Sequence, residues 1–387
     1  MTEAGTYRRS LGLIELVSLG VGGTVGSGIF VVPGVAAKLS GPGSLIAWVI
    51  VALSASCVLL SLASISFRFT GSSGFYSLFE SVFGARVAVL LMGLYCISSV
   101  FGVATIAAGI GQYITFFTIP SILLIEILIL AVFCGVNITG ITLSGKTENI
   151  LTALKIIPLV IISLLLVPFI RFENFVQAAP LTATGLLATI IIVYWPFTGF
   201  EICAIPVEET KDPPALIRRS LLIVMLIVVL LYLGLNIALI GSVGAELLGD
   251  SPAPIAAAAG LLFTHSGTIV AFIGIIAMLS AMNAYIMATS RILHSLSERF
   301  SVPKIRDLSR QGTPVNALIT GCVASGLLLF ISNHFGTLAT ISVITTLVPY
   351  IFFCIAAWIL VVDPKVRLIA AAGMLSTAAI LVLYFLL

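Results

Sequence analysis

The sequence predicts an all-α integral membrane protein with about eleven transmembrane helices, of which the first and sixth are interrupted. Three observations carry that prediction. Of 387 residues, 60% are hydrophobic and only 9% charged, against roughly 25% charged in soluble domains. Apolar runs of about 20 residues, the length that crosses a bilayer as helix, recur from end to end, and mean hydropathy is +1.25. Breaks rich in glycine or carrying proline fall inside the first and sixth of these runs. The same composition excludes a soluble enzyme, a disordered chain and a secreted disulfide scaffold. A net charge of +3 offers no patch for nucleic acid. Transporter, channel, intramembrane enzyme and receptor remain.

Hydropathy, breaks and charges put the spans near 11–36, 43–67, 84–116, 121–140, 147–170, 183–206, 215–241, 266–298, 314–332, 337–361 and 367–386. The first is expected to be permanent, because Tyr7-Arg8-Arg9 leads into a long Gly-rich run and not into a short apolar region with a cleavage site. No separate soluble domain is visible, so 1–387 is read as one transmembrane domain. The 18 Lys and Arg orient it. With the N-terminus inside, fifteen of them, from Arg8 and Arg9 to Lys365 and Arg367, fall in cytoplasmic segments; Lys38 and Arg171 fall outside and Lys155 lies within a span. Such a bias is what the positive-inside rule expects. A multi-pass protein of the cell membrane, N-terminus cytoplasmic and C-terminus external, is therefore predicted.

The first span reads LGVGGTVGSGIF from Leu19 to Phe30, with Gly20, Gly22, Gly23, Gly26 and Gly28 inside it. Each interior glycine costs a helix about 0.5–1 kcal/mol relative to alanine. By themselves these glycines fit close helix packing through Gly22-x-x-x-Gly26 as well as a break. The sixth span supplies the other half of the case. In Tyr194-Trp195-Pro196-Phe197-Thr198-Gly199-Phe200-Glu201, the proline removes a backbone donor, and a mid-span carboxylate needs a cavity or a partner. Interrupted spans one and six suit an inverted repeat, about 11–170 and about 183–361, with substrate between the breaks and the helix at about 367–386 outside it.

At a break, the freed N–H groups that start one half-helix bind an anion, and the freed carbonyls that end the other suit a cation. An α-amino acid carries both charges on adjacent atoms. Its carboxylate is expected on the amides of Gly26, Ser27 and Gly28, and its ammonium on carbonyls near Thr24, Trp195 and Thr198.

The GxGGTVGSGIF segment, the WPFTGFE segment with PVEETKDP after it, and NAYIMATSRILHSLSERFSVPK closing the eighth span together resemble the amino acid-polyamine-organocation superfamily over nearly the whole chain. The resemblance implies a LeuT-like five-plus-five inverted repeat and secondary active transport of amino acids or related amines. It matches Thr24, Ser27, Gly28 and Ile29 to the substrate-backbone segment, and Trp195, Phe197, Thr198, Phe200 and Glu201 to the gate and pocket segment of the sixth helix. Many members have twelve spans where this chain shows eleven, which bears on oligomer contacts more than on transport.

Lys155 either snorkels to the cytoplasmic surface, about two turns away, or lines a functional cavity. In the LeuT-like fold the fifth helix passes the first and eighth where sodium-coupled relatives bind sodium. The resemblance puts the Lys155 ammonium there, donating to carbonyls around Gly20 to Gly23 with Ser280 as a further neighbour. A proton is then the coupling ion, and no cofactor or metal is expected. Glu15 and Glu126 are read as interfacial, and His265, His294 and His334 as outside any proton relay.

Pocket walls of Ile29, Phe197, Phe200 and Ser98 or Ser99 favour neutral amino acids by proton symport. The alternative, a cationic amino acid or polyamine exchanger, needs Glu201 exposed to the ligand; otherwise Glu201 holds a gate. A channel would need a polar pore and an intramembrane protease a paired-Asp or Ser-His set, and neither is present. A receptor or scaffold gives no reason for two repeat-related breaks. The six cysteines, all in apolar runs without metal-ligand spacing, are expected as buried small side chains. The partners implied are the amino acid and the lipid bilayer; the oligomeric state is open.

Overall fold

The computed structural model describes residues 11–68, 74–117, 122–138, 145–176, 181–204, 210–300, 302, 304–305, 307–309 and 313–386. Arg8, Arg9, Arg306 and Arg310 of the orientation argument lie outside these residues, as do positions 206–209 of the PVEETKDP motif. The first predicted span is two helices, α1 (Leu13–Thr24) and α2 (Ser27–Ser40), followed by a 3-10 turn Gly41–Gly43 and α3 (Ser44–Ser64). Then come α4 (Gly74–Phe83), α5 (Ala85–Ile114), α6 (Ile122–Ile138), α7 (Gly145–Leu166) and α8 (Ala183–Tyr194). Beyond α8 lie two 3-10 segments, Trp195–Phe197 and Phe200–Ala204. The chain continues through α9 (Pro213–Asp250), α10 (Pro254–Ala259), α11 (Ser266–Arg299), α12 (Val315–Ile331), α13 (Phe335–Leu360) and α14 (Pro364–Leu386).

Eight helical stretches among the described residues are long and apolar enough to cross a bilayer, and two apolar helices, α6 and α12, are shorter. The first stretch, Leu13–Ser64, holds two of the predicted spans on either side of Gly41–Gly43. Each predicted span thus has a helical counterpart. The long α9 carries a kink at Gly244, whose φ of 78° suits glycine alone.

Helix α5 runs through the middle of the bundle against α11 and α13, while α1 and α2 lie on α9. At the edge, α14 packs on α3 and α13 with Ala370, Gly373, Thr377 and Ile380 buried, a spacing that lines one face of a helix. Gly373 lets that face approach closely. A Cβ there would stand 2.9 Å from Cys354 Sγ and 3.2 Å from Cys57 Cβ. Small residues serve helix association in membranes this way, where apolar burial gives no driving force against lipid.

The sequence reading left 68–83 as a connection, and the structure places α4 there. Its Phe75 and Phe79 are buried and lie on Phe353 of α13, with ring centroids 5.1 and 4.8 Å apart. Glu80 pairs with Arg299 at the end of α11 at 3.3 Å, and that guanidinium sits 5.8 Å from the Tyr76 ring centroid. Two loops predicted on the same side of the membrane are thereby joined. The ion pair is half exposed and contributes little, about 0–1 kcal/mol, so the aromatic stack holds α4. Phe79→Ala is expected to destabilise the protein by about 3–5 kcal/mol, while Glu80→Gln should cost under about 1 kcal/mol. Midpoints of thermal unfolding in detergent check both.

Candidate functional site at two helix breaks

Helix α1 stops at Thr24 because Val25 leaves helical geometry (φ −83°, ψ 86°), and Gly26 caps α2 with φ −138° and ψ −142°. The last carbonyls of α1 therefore need partners from elsewhere. The Thr24 carbonyl accepts from Gly26 N at 3.1 Å and from the Tyr232 hydroxyl at 2.9 Å. That of Gly22 accepts from Lys155 Nζ at 2.9 Å. Lys155 is 1% exposed and so does not snorkel. Its amine stands at the C-terminal, negative end of the α1 dipole, which favours a cation. One turn earlier on α7, Thr152 Oγ1 donates to Ser18 O at 3.0 Å. Ser280 Oγ is buried without a hydrogen-bond partner, and the expected contact to Lys155 is not made.

The second break begins at Tyr194. Pro196 at the second position of the 3-10 turn removes a donor, Thr198 is extended (φ −84°, ψ 159°), and Gly199 has φ +93°. Glycine is required at 199 on two counts. Its φ lies in the left-handed region, and a Cβ would stand 2.9 Å from Gly23 O and 3.0 Å from Tyr285 Oη. The breaks meet at a second point, where a Cβ on Gly28 would come within 2.6 Å of Pro196 Cα. Trp195 Nε1 donates to Ser27 Oγ across the junction at 3.2 Å.

Between the breaks lies a small cavity lined by Gly23, Thr24, Gly26, Ser27, Gly28, Trp195 and Thr198, together with Ile106 of α5 and Tyr285 of α11. Seven of the sequence-derived site residues thus share one wall. Two acceptors are already in use: the Thr24 carbonyl as above, and Trp195 O, which takes both Thr198 N at 3.1 Å and Thr198 Oγ1 at 2.8 Å. Tyr285 Oη lies 3.4 Å from Thr198 Oγ1.

Other expected wall residues lie elsewhere. Phe197 is buried against Trp48 and Tyr232, with centroids 6.0 and 5.2 Å away, and Phe200 against Tyr350 at 5.4 Å. Ile29 is fully buried and is not among the cavity residues. Ser98 bonds Ser342 O at 2.9 Å and Thr346 Oγ1, tying α5 to α13, while Ser99 donates to its own helix at Cys96 O, 2.8 Å away. Glu201 is 2% exposed. Its Oε1 accepts from Tyr95 at 2.7 Å, and its Oε2 from Tyr350 at 2.8 Å and Gly199 N at 3.1 Å. The carboxyl thus ties the second break to α5 and α13 and does not line the cavity. Glu126, read as interfacial, is 1% exposed and lies against Gly111 of α5; Glu15 does lie near the surface, accepting from Gly12 N at 2.9 Å. Among the described residues no group of His, Cys, Asp and Glu could hold a metal.

The sequence reading missed Ile106 and Tyr285 in the cavity, and Tyr95, Tyr350 and Tyr232 behind it. Only Tyr285 carried a signal, since it belongs to the NAYIMATSR motif.

Comparison with known proteins agrees with this architecture. The chain is 27% identical over 367 residues to the inner membrane transport protein YbaT of Escherichia coli (strain K12), covering 92% of this chain and 85% of that protein. It is 26% identical over 350 residues to the gamma-aminobutyric acid permease of Bacillus subtilis (strain 168), covering 85% and 73%. It is 29% identical over 287 residues to the cationic amino acid transporter 9, chloroplastic, of Arabidopsis thaliana, covering 66% and 49%. Residues 11–387 match the amino acid permease family, and the chain belongs to it: this is a multi-pass amino acid transporter of the amino acid-polyamine-organocation superfamily.

Proposed function

We propose that this permease takes up neutral amino acids by proton-coupled symport with alternating access, its N-terminus on the cytoplasmic side. The observation that carries the reading is Lys155: a buried amine 2.9 Å from the carbonyl of Gly22, at the negative end of α1 and next in the chain to the cavity residue Gly23. As an ammonium it neutralises the α1 terminus and holds that half-helix in place. Loss of its proton weakens that hold, so the position of α1 becomes sensitive to the proton.

The substrate carboxylate is assigned to the N–H groups that open α2 at Gly26, Ser27 and Gly28. Its ammonium is assigned to the carbonyl ends at Gly23 and Thr198. Neutral selectivity is supported by the cavity lining, which carries no acidic side chain among the described residues. A cationic substrate, suggested by the name of one relative, would need Glu201, whose two oxygens already accept three hydrogen bonds.

The test is counterflow and gradient-driven uptake of radiolabelled alanine in proteoliposomes. Exchange of the label, and accumulation in sodium-free buffer driven by a proton gradient, are expected. Strict sodium dependence, or exchange of arginine in preference to alanine, overturns the proposal.

A further inference from the structure

Several segments converge on the C-terminal end of α5, which the proposed orientation puts on the outer side. A Cβ on Gly109 would stand 2.9 Å from Ser27 Cβ and 3.4 Å from the Phe335 ring. Gln112 Nε2 donates to Pro252 O at 3.2 Å, and Tyr113 Oη to Phe30 O at 2.8 Å. Gly111 lies between these contacts, and there the carboxyl of Glu126, from α6, takes the place of a side chain. A Cβ on Gly111 would overlap Glu126 Oε1 and stand 2.7 Å from Ile122 Cγ2. Glu126 is 1% exposed, and its Oε2 is buried without a hydrogen-bond partner. The side chain of Asn333, an exposed residue between α12 and α13, reaches the carboxyl from the surface. No cation answers it: α6, α12, α13 and α5 beyond Arg86 contain no Lys or Arg. The other titratable groups on the surrounding elements are turned elsewhere. Tyr113 is bonded to Phe30 O, His334 Nδ1 lies 3.2 Å from Thr337 Oγ1, and Cys322 of α12 faces Cys134, further along α6.

Burying a charge without a partner is costly, so the two forms of this carboxyl differ in fit. The neutral acid can stay in the slot on Gly111; the carboxylate cannot without cost. Gly111 is two residues from Gly109, so the seating of this stretch of α5 governs how closely Gly109 lies on Ser27 at the opening of α2. From this geometry we propose that Glu126 is a second proton-binding site of the permease, reached from the outer surface past Asn333, and that the proton held there keeps α5 seated on the start of α2. The link to substrate rests on the proposed placement of the ligand carboxylate at Gly26–Gly28. External protons then strengthen amino acid binding. Coupling between two sites is reciprocal, so bound amino acid strengthens proton binding at Glu126 in turn.

The experiment compares purified wild type with Glu126→Gln, a neutral isostere of the protonated acid, from mildly acid to mildly alkaline pH. The ligand-free unfolding midpoint is read first. The two proteins are expected to run together at acid pH, and wild type to fall below the variant as pH rises, because only wild type then carries an unpaired buried charge. Alanine affinity is read next, by ligand-induced stabilisation. Relative to Glu126→Gln, wild type should lose about fivefold or more toward alkaline pH. Taking the difference between the two profiles cancels the contribution of Lys155. Gly111→Ala, which displaces the carboxyl from its slot, should bind alanine weakly at every pH. Parallel midpoint profiles of wild type and Glu126→Gln overturn the proton site and leave the transport reading standing. Diverging midpoints with parallel alanine affinities overturn the link to α2, as does wild-type affinity in a Gly111→Ala protein of normal midpoint. Absence of any alanine response in wild type overturns the transport reading, and the midpoint profiles still decide the proton site.

Discussion

Lys155→Ala is expected to lose proton-gradient-driven accumulation of alanine while retaining counterflow. The amine sits on the Gly22 carbonyl and outside the cavity residues, so its removal spares the groups assigned to the ligand. What disappears is the cation at the end of α1 and the donor to a buried carbonyl, an omission that costs about 1–3 kcal/mol. The unfolding midpoint should fall accordingly, and accumulation should drop to the level reached without a gradient. Lys155→Gln separates the effects. It can restore a donor to Gly22 without a titrating amine, so it should recover stability but not accumulation. Gradient-driven uptake by either variant at the wild-type level rejects the coupling role.

The second large effect is at Gly28. A single added carbon would stand 2.6 Å from Pro196 Cα and 3.0 Å from Pro196 Cβ. Those are backbone and ring atoms that cannot rotate away. Gly28→Ala already forces the breaks apart, and Gly28→Leu more so. Overpacking of this kind typically costs about 1–3 kcal/mol of stability, which a bundle of this size survives. Binding depends on the junction itself, so affinity for alanine should fall by about a hundredfold or more, equivalent to about 2.8 kcal/mol. Isothermal titration or ligand-induced stabilisation at a measured ligand-free midpoint tests this. Wild-type affinity in a folded Gly28→Leu protein removes the assignment of the carboxylate to Gly26–Gly28.

Composition and local chemistry determined much of this protein. A chain that is 60% hydrophobic has to satisfy its backbone inside helices when it crosses a bilayer, so the spans were legible from hydropathy alone. The two interruptions were legible as well. Five glycines within nine residues make a weak helix, and Pro196 removes a donor, and neither effect needs a partner to act. Lys155 stood out because a lone amine in an apolar run demands an explanation.

What the tertiary structure decided is which faces meet. Gly28 lies on Pro196 and Gly23 on Gly199; Tyr95 and Tyr350 converge on Glu201 from α5 and α13. Ile106 and Tyr285 close the cavity, while Ser98 and Phe197, equally eligible by sequence, turn to other neighbours. In a soluble helix a polar face marks the outside. Here lipid and protein interior are equally apolar, so periodicity along a span does not distinguish the residue that faces a ligand from one that faces a neighbouring helix. Those choices rest on packing between segments more than 80 residues apart, such as Trp195 on Ser27 and Tyr285 on Thr198, and only the assembled bundle contains them.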